Sequence, residues 1–132
     1  MSLLFEQESN LVLGACFEVF KDKGAGYLES VYHECLKVEF GLRGIPFVSK
    51  HKLALTYKGV TLESTFEPDF ICFDKIIMEI KAITDLDDFH RAKVIHYLHS
   101  SGCRVGYSSG CRVGYLVNFH SHPKLQFERY IL

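Results

Sequence analysis

The chain opens with apolar residues at helical spacing. Leu11, Ala15 and Val19 follow four-residue steps, as do Leu4, Glu8 and Val12, which predicts a helix from about Leu3 to Lys23. Gly24-Ala25-Gly26 breaks it. A second helix is predicted over Glu29–Leu42, with Val31, Cys35, Val38 and Leu42 as its apolar stripe; Gly44 ends it and Pro46 stops any continuation. The pattern then turns to strand. Phe47–Tyr57 comes first, Lys58-Gly59 makes a tight turn, Val60–Phe73 follows with a kink at Pro68, and Ile76–Ile83 is the third. Leu86–His99 returns to helical spacing, with Leu86, Phe89, Lys93, Val94, Tyr97 and Leu98 on one side. Val113–Phe119 is an apolar strand, and Phe127–Leu132 a last edge strand. Helix, helix, three strands, helix, strand is the order of an α/β sandwich, a mixed sheet flanked by helices.

The third predicted strand carries the first hint of chemistry. Glu79 and Lys81 are two apart and share a face, while Ile76, Met78, Ile80 and Ala82 make the other face wholly apolar. The charged face also carries Ile77 and Ile83, so it is not simply wet. Charges among apolar residues are costly unless paired or metal-bound. A second carboxylate, Asp69, follows Pro68, with nine residues between it and Glu79.

Composition narrows the class. A chain of 132 residues is expected to form a single domain over 1–132, and 48% hydrophobic residues exclude a disordered chain. Glu18 and Lys21 interrupt the best apolar run, so no membrane span is expected, and MSLLFEQESN lacks the features of a signal peptide. Five cysteines without a CxxC pair read as reduced thiols of a cytoplasmic protein. A net charge of −1 gives no global basic field, so nucleic acid would have to be held by a local patch. His96/His99 and His120/His122 lack a third ligand at zinc spacing. No Ser-His-Asp or Cys-His order and no P-loop is legible.

One feature stands apart. Ser100–Tyr107 and Ser108–Tyr115 both read SSGCRVGY, a tandem duplication of eight residues at 100–115. A solenoid needs longer units and more copies. Only the second copy runs into Leu116-Val117-Asn118-Phe119, so the strand is expected there and residues 100–110 are expected to form a mobile, exposed loop.

Several blocks together carry a family resemblance: Asn10–Ala15, Gly24–Tyr32, Leu42–Phe47, Tyr57-Lys58-Gly59, Pro68-Asp69-Phe70, Glu79-Ile80-Lys81 and Arg112–Phe119. Over nearly the whole chain, apart from the extra repeat copy, they resemble the small bacterial GxxExxR proteins, which are placed in the PD-(D/E)xK nuclease superfamily. The resemblance implies a restriction-endonuclease-like α-β-β-β-α-β core and a metal-dependent nuclease acting on nucleic acid, DNA foremost, with a homodimer as one way to engage two strands. A catalytically inactive nuclease-fold protein that binds nucleic acid or protein is the alternative.

Phosphodiester hydrolysis needs an activated water and stabilised charge at phosphorus. Carboxylates on adjacent strands can hold Mg²⁺ or Mn²⁺; Asp69 and Glu79 are the expected ligands, with the Ile80 carbonyl as an extra one. Lys81 would orient the water or neutralise charge in the transition state. Glu29, in Gly26-x-x-Glu29-x-x-Tyr32, matches the helix glutamate that often completes such sites, and His33 follows it by one turn. Lys93 stands four before Tyr97, where members of this type commonly carry Gln; Lys93, Tyr97 and His90 are candidate substrate contacts on one helical face. A shared metal requires Asp69 and Glu79 on one sheet face. That calls for an odd-length loop such as Phe73-Asp74-Lys75, or a bulge, with Asp69 expected to face Lys81 and Glu79 diagonal to it.

Overall fold

Residues 4–101 and 111–132 are described in a computed structural model of the chain. Its first helix, α1, spans Glu6–Lys23, and the second, α2, spans Glu29–Leu42. Of the helix expected from Leu3, Leu3 itself lies outside the described residues; Phe5 takes a left-handed conformation (φ 54°), so helical geometry begins at Glu6. Gly24 ends α1 at φ 66°, donating its N–H to the Phe20 carbonyl, a geometry natural to a residue without a Cβ.

The buried stripe of α2 differs from the expected one. Tyr32, Leu36 and Phe40 face the core, whereas Val38 and Leu42 are 63% and 77% exposed. Both sets recur at helical spacing, and the larger side chains withdraw more apolar area from water.

The strands form a five-stranded sheet and a separate hairpin. In chain order they are β1 (Phe47–Ser49), β2 (Leu53–Tyr57), β3 (Val60–Phe66), β4 (Phe70–Cys72), β5 (Ile76–Lys81), β6 (Val113–Asn118) and β7 (Gln126–Ile131). The sheet runs β1-β4-β5-β6-β7, and β2-β3 stands alone. Only β5 and β6 are parallel; the other pairs are antiparallel, so the sheet is mixed. Helix α3 (Asp88–Ser101) lies between the parallel strands in sequence and packs on them.

Two expected strands are each broken in two. Phe47–Tyr57 splits at Lys50, whose φ of 49° cannot continue a strand. Val60–Phe73 splits at Pro68, which has no N–H for a ladder. These breaks detach β2 and β3 from the main sheet. At its far end β5 stops at Lys81, and the Asn118 side chain takes over the next backbone groups: Ile83 donates its N–H to Asn118 Oδ1 at 3.2 Å, and Asn118 Nδ2 donates to the Ile83 carbonyl at 2.9 Å. Helix α3 starts later than expected because the Asp87 carboxylate accepts the His90 N–H at 3.1 Å, in the manner of a cap. It runs on through Ser100 and Ser101, so the first repeat copy begins inside a helix; the rest of the expected loop, 102–110, lies outside the described residues.

Both faces of the sheet are covered. Ile76, Met78 and Ile80 pack with Val12, Tyr32 and Phe40 of α1 and α2. On the other face Ile71, Ile77 and Leu116 pack beneath Val94 and Leu98 of α3 and Leu53 and Phe66 of the hairpin. Helix α3 comes so close to β6 that a Cβ on Gly114 would sit 2.7 Å from Val94 Cγ1. Phe89, expected on the covered side of α3, is 76% exposed. The face that carries Glu79 and Lys81 is therefore roofed, which places a carboxylate in the interior.

Candidate functional site

The β4–β5 hairpin sets the geometry. Phe73 and Asp74 both adopt φ 56°, and Lys75 donates its N–H to the Cys72 carbonyl at 3.0 Å. Cys72 pairs with Ile76, Ile71 with Ile77 and Phe70 with Met78, leaving Phe73-Asp74-Lys75 as an odd-length loop. One further step of this register sets Asp69 opposite Glu79. Asp69 does not face Lys81, as the sequence reading had it; a three-residue loop brings the two carboxylates directly across from each other, on one face.

They are fastened there by the backbone. Asp69 donates its N–H to Glu79 Oε1 at 2.8 Å, and Ile80 donates its N–H to Asp69 Oδ2 at 2.8 Å. The other two oxygens, Asp69 Oδ1 and Glu79 Oε2, make no hydrogen bond among the described residues. A strand residue's N–H and C=O leave the backbone on the same side. The Ile80 carbonyl is therefore turned toward Asp69, away from β6, whereas the neighbouring Lys81 carbonyl accepts from Phe119 on the β6 side.

Glu79 is 3% exposed. Burial pushes its carboxyl up to about 8, and the Asp69 charge adds to the rise; the Asp69 N–H and the Lys93 and Lys81 ammoniums oppose it. One of those two ammoniums also faces a second carboxylate: Lys81 Nζ lies 4.0 Å from Glu29 Oε1. Glu29, at the first turn of α2, is itself raised by partial burial, with Lys81 opposing, Asp69 reinforcing, and Lys50 and Lys93 opposing in turn. Glu29, Asp69, Glu79 and Lys81 thus share one electrostatic neighbourhood.

Helix α3 contributes two of its three candidates. Lys93 Nζ lies 5.6 Å from the centroid of the Tyr97 ring and acts on both Glu79 and Glu29. Tyr97 stacks on Phe66 at 5.0 Å, and burial followed by the Glu79 and Asp69 charges pushes its hydroxyl up to about 12. His90 is drawn aside, with Nδ1 2.8 Å from Asp87 Oδ1 at the start of the helix.

Two residues from the β1 side join the group. His33 stacks on Phe70 at 4.3 Å and shares a 2.7 Å hydrogen bond with Ser49 Oγ, and its buried Nδ1 has no partner among the described residues. Burial lowers its pKa, against the pull of Asp69. Lys50 donates its N–H to the Asp69 carbonyl at 3.1 Å and adds its charge to the field at Glu29 and His33. The sequence reading missed Lys50 because it lay inside a predicted strand, where nothing marked the left-handed break.

Among the described residues no three His, Cys, Asp or Glu side chains converge as a metal cage. What converges is two carboxylates and one backbone carbonyl. Such an all-oxygen set suits a hard cation that keeps several waters, and is unlike the nitrogen and sulfur set of zinc.

Residues 6–130 match the family model of the PD-(D/E)XK nuclease superfamily. The chain belongs to that superfamily. Its mixed sheet flanked by helices is the restriction-endonuclease-like core of the PD-(D/E)XK proteins, and Pro68-Asp69 followed by Glu79-Ile80-Lys81 spells the signature in order. A search of curated proteins finds no match to the chain. Among the described residues of this PD-(D/E)XK domain, no helix is long and apolar enough to cross a membrane.

Proposed function

We propose that the protein is a metal-dependent nuclease that hydrolyses phosphodiester bonds of DNA in the cytoplasm. The observation that carries this reading is the buried Glu79 carboxyl, fastened across the hairpin to Asp69 while Lys81 is engaged with Glu29. A buried carboxyl held against a second, half-buried one is expensive without a cation. Asp69 and Glu79, with the Ile80 carbonyl, would hold Mg²⁺ or Mn²⁺. Such an ion supplies Lewis-acid polarisation of the phosphoryl oxygen and a bound water of lowered pKa.

The chain's own residues do the rest. Lys81 sits at the rim of the pair and orients the attacking water or neutralises charge that develops at phosphorus. Glu29 pairs with the Lys81 ammonium at 4.0 Å and helps keep it beside the carboxylates. The backbone N–H groups of Asp69 and Ile80 fix one oxygen of each carboxylate, so no rotamer search precedes reaction. A homodimer presenting two such sites would address both strands of a duplex.

The test is a cleavage panel of linear, nicked, branched and single-stranded DNA, plus RNA, with Mg²⁺ or Mn²⁺. Asp69→Ala and Glu79→Ala are expected to lose metal binding and activity together. Lys81→Ala is expected to keep the metal and lose turnover, because its charge acts in the transition state. Calorimetry without metal binding, and a panel without a cut strand, would refute the enzyme reading.

One observation favours a second reading, a nuclease-fold protein that binds nucleic acid without cutting it. Lys93 places a fixed positive charge within reach of the carboxylates and offsets part of the demand that a metal would meet. Nucleic-acid affinity without metal binding or cleavage is the result that would select it.

A further inference from the structure

Beside the carboxylate pair, a groove of about 310 Å³ opens between α3 and the β2–β3 hairpin. Leu55 and Phe66 form one wall, Phe89, Lys93, His96 and Tyr97 the other. Its volume is at the small end of the usual range for ligand sites, about 300–1,000 Å³. That is room for one small flat group and far too little for a duplex.

Three observations define what fits. The lining is aromatic: Tyr97 and Phe66 meet in a stack at 5.0 Å that joins the two walls, and Phe89 stands 76% exposed beside it. The polar side chains of the lining are donors or can become so, namely the Lys93 ammonium, the His96 imidazole and the Tyr97 and Ser100 hydroxyls; no Asp or Glu lines the groove among the described residues. Lys93 and Tyr97 line the groove and also act electrostatically with Glu79, so the groove and the candidate site share two residues of α3. An aromatic slot whose ammonium also faces the carboxylate pair has the chemistry of a nucleotide: base in the slot, phosphate at the cation.

We propose that this groove seats a single unpaired nucleobase, whose flanking phosphate lies at Lys93 and the Asp69–Glu79 pair, so that the substrate is single-stranded nucleic acid or a junction with an unpaired base. The proposal rests on the nuclease reading and adds the substrate class to it. A base inside a continuous duplex cannot enter; one already unstacked enters without the cost of extrusion.

The test uses fluorescence anisotropy in Ca²⁺, to hold substrate without efficient cleavage. The probes are a labelled single-stranded DNA 12-mer, the same 12-mer with abasic spacers at its central positions, and its duplex. The abasic strand keeps every phosphate, so the comparison isolates the base. Stacking of one base predicts that the abasic strand binds about 5- to 150-fold more weakly, with the duplex also weaker than the single strand. In Phe89→Ala and His96→Ala the base-containing strand should fall toward the abasic level. Both side chains are exposed, so the variants should melt with the wild type. Equal affinity for normal and abasic strands would overturn the proposal while leaving the nuclease reading intact, provided the panel shows cleavage. A wild-type dimer that Phe89→Ala turns into a monomer would assign the groove to a second copy of the chain and likewise overturn it. Neither binding nor cleavage of any probe would remove the nuclease reading, and this proposal with it.

Discussion

Glu79 makes stability depend on pH in a direction opposite to that of most acidic residues. Its carboxyl is raised from an ordinary value of 4.5 to about 8, by burial first and by Asp69 second. A carboxyl whose folded pKa exceeds its unfolded one contributes its full stability below the unfolded value. That contribution falls as pH climbs from about 4.5 through about 8, and stays lost above. At about 1.4 kcal/mol per pKa unit the loss is on the order of 5 kcal/mol, a large share of the 5–15 kcal/mol that holds a domain folded. For a chain of this size each kcal/mol moves Tm by about 3–5 °C, so this residue should lower the Tm of the metal-free protein by on the order of 10 °C between pH 5 and pH 9. Glu79→Gln keeps an oxygen for the Asp69 N–H and removes the charge, so its Tm should stay much flatter over the same range. Circular-dichroism melts of both proteins in EDTA, taken as a difference at each pH, isolate this residue from the rest. Saturating Mg²⁺ at pH 8 should raise the wild-type Tm and do little for Glu79→Gln, since an ion that binds only the folded state stabilises it by mass action. Parallel melting curves for the two proteins from pH 5 to pH 9 would refute the reasoning.

Three further outcomes follow from the same geometry. Lys93→Gln removes a cation from the field of Glu79 and should tighten Mg²⁺ binding several-fold in calorimetry; unchanged affinity would mean that the ammonium only covers the edge of the core. Gly114→Ala drives a methyl to 2.7 Å from Val94 Cγ1 and should cost about 1–3 kcal/mol in urea titration, with partial rescue by adding Val94→Ala. Deleting residues 100–107 returns Ser-Ser to the end of α3 from the second copy and shortens the connection to β6 by eight residues; Tm should change by a few degrees at most, and a large drop would show that the first copy is structural.

Much of this fold could be read from the pattern of side chains because its helices and its central strands obey simple periods. The Gly24-Ala25-Gly26 break, the Lys58-Gly59 turn and the charged face of β5 all stand where residue type placed them. The misreadings have separate physical causes. Lys50 takes a left-handed conformation without glycine, asparagine or proline to announce it, so one expected strand became two in different sheets. On α2 two apolar stripes competed, and volume decided between them. In the site, the requirement that Asp69 and Glu79 share a face led correctly to an odd-length loop, but the partner across the ladder was miscounted by two positions. Lys50 reached the site through a backbone hydrogen bond to Asp69, and no spacing rule reports such a bond.

The paired hydrogen bonds between Asp69 and the Glu79-Ile80 segment have a consequence for how the chain is born. Each carboxylate is aimed by an N–H that belongs to the other strand, so neither is aimed until β4 and β5 have closed on each other. A slip of one residue would turn one carboxylate to the opposite face of the sheet. The acidic pair is therefore created by the same event that seals the hairpin. A chain emerging from synthesis, or one partly unfolded, carries the residues without the constellation, which is assembled by the completion of folding itself.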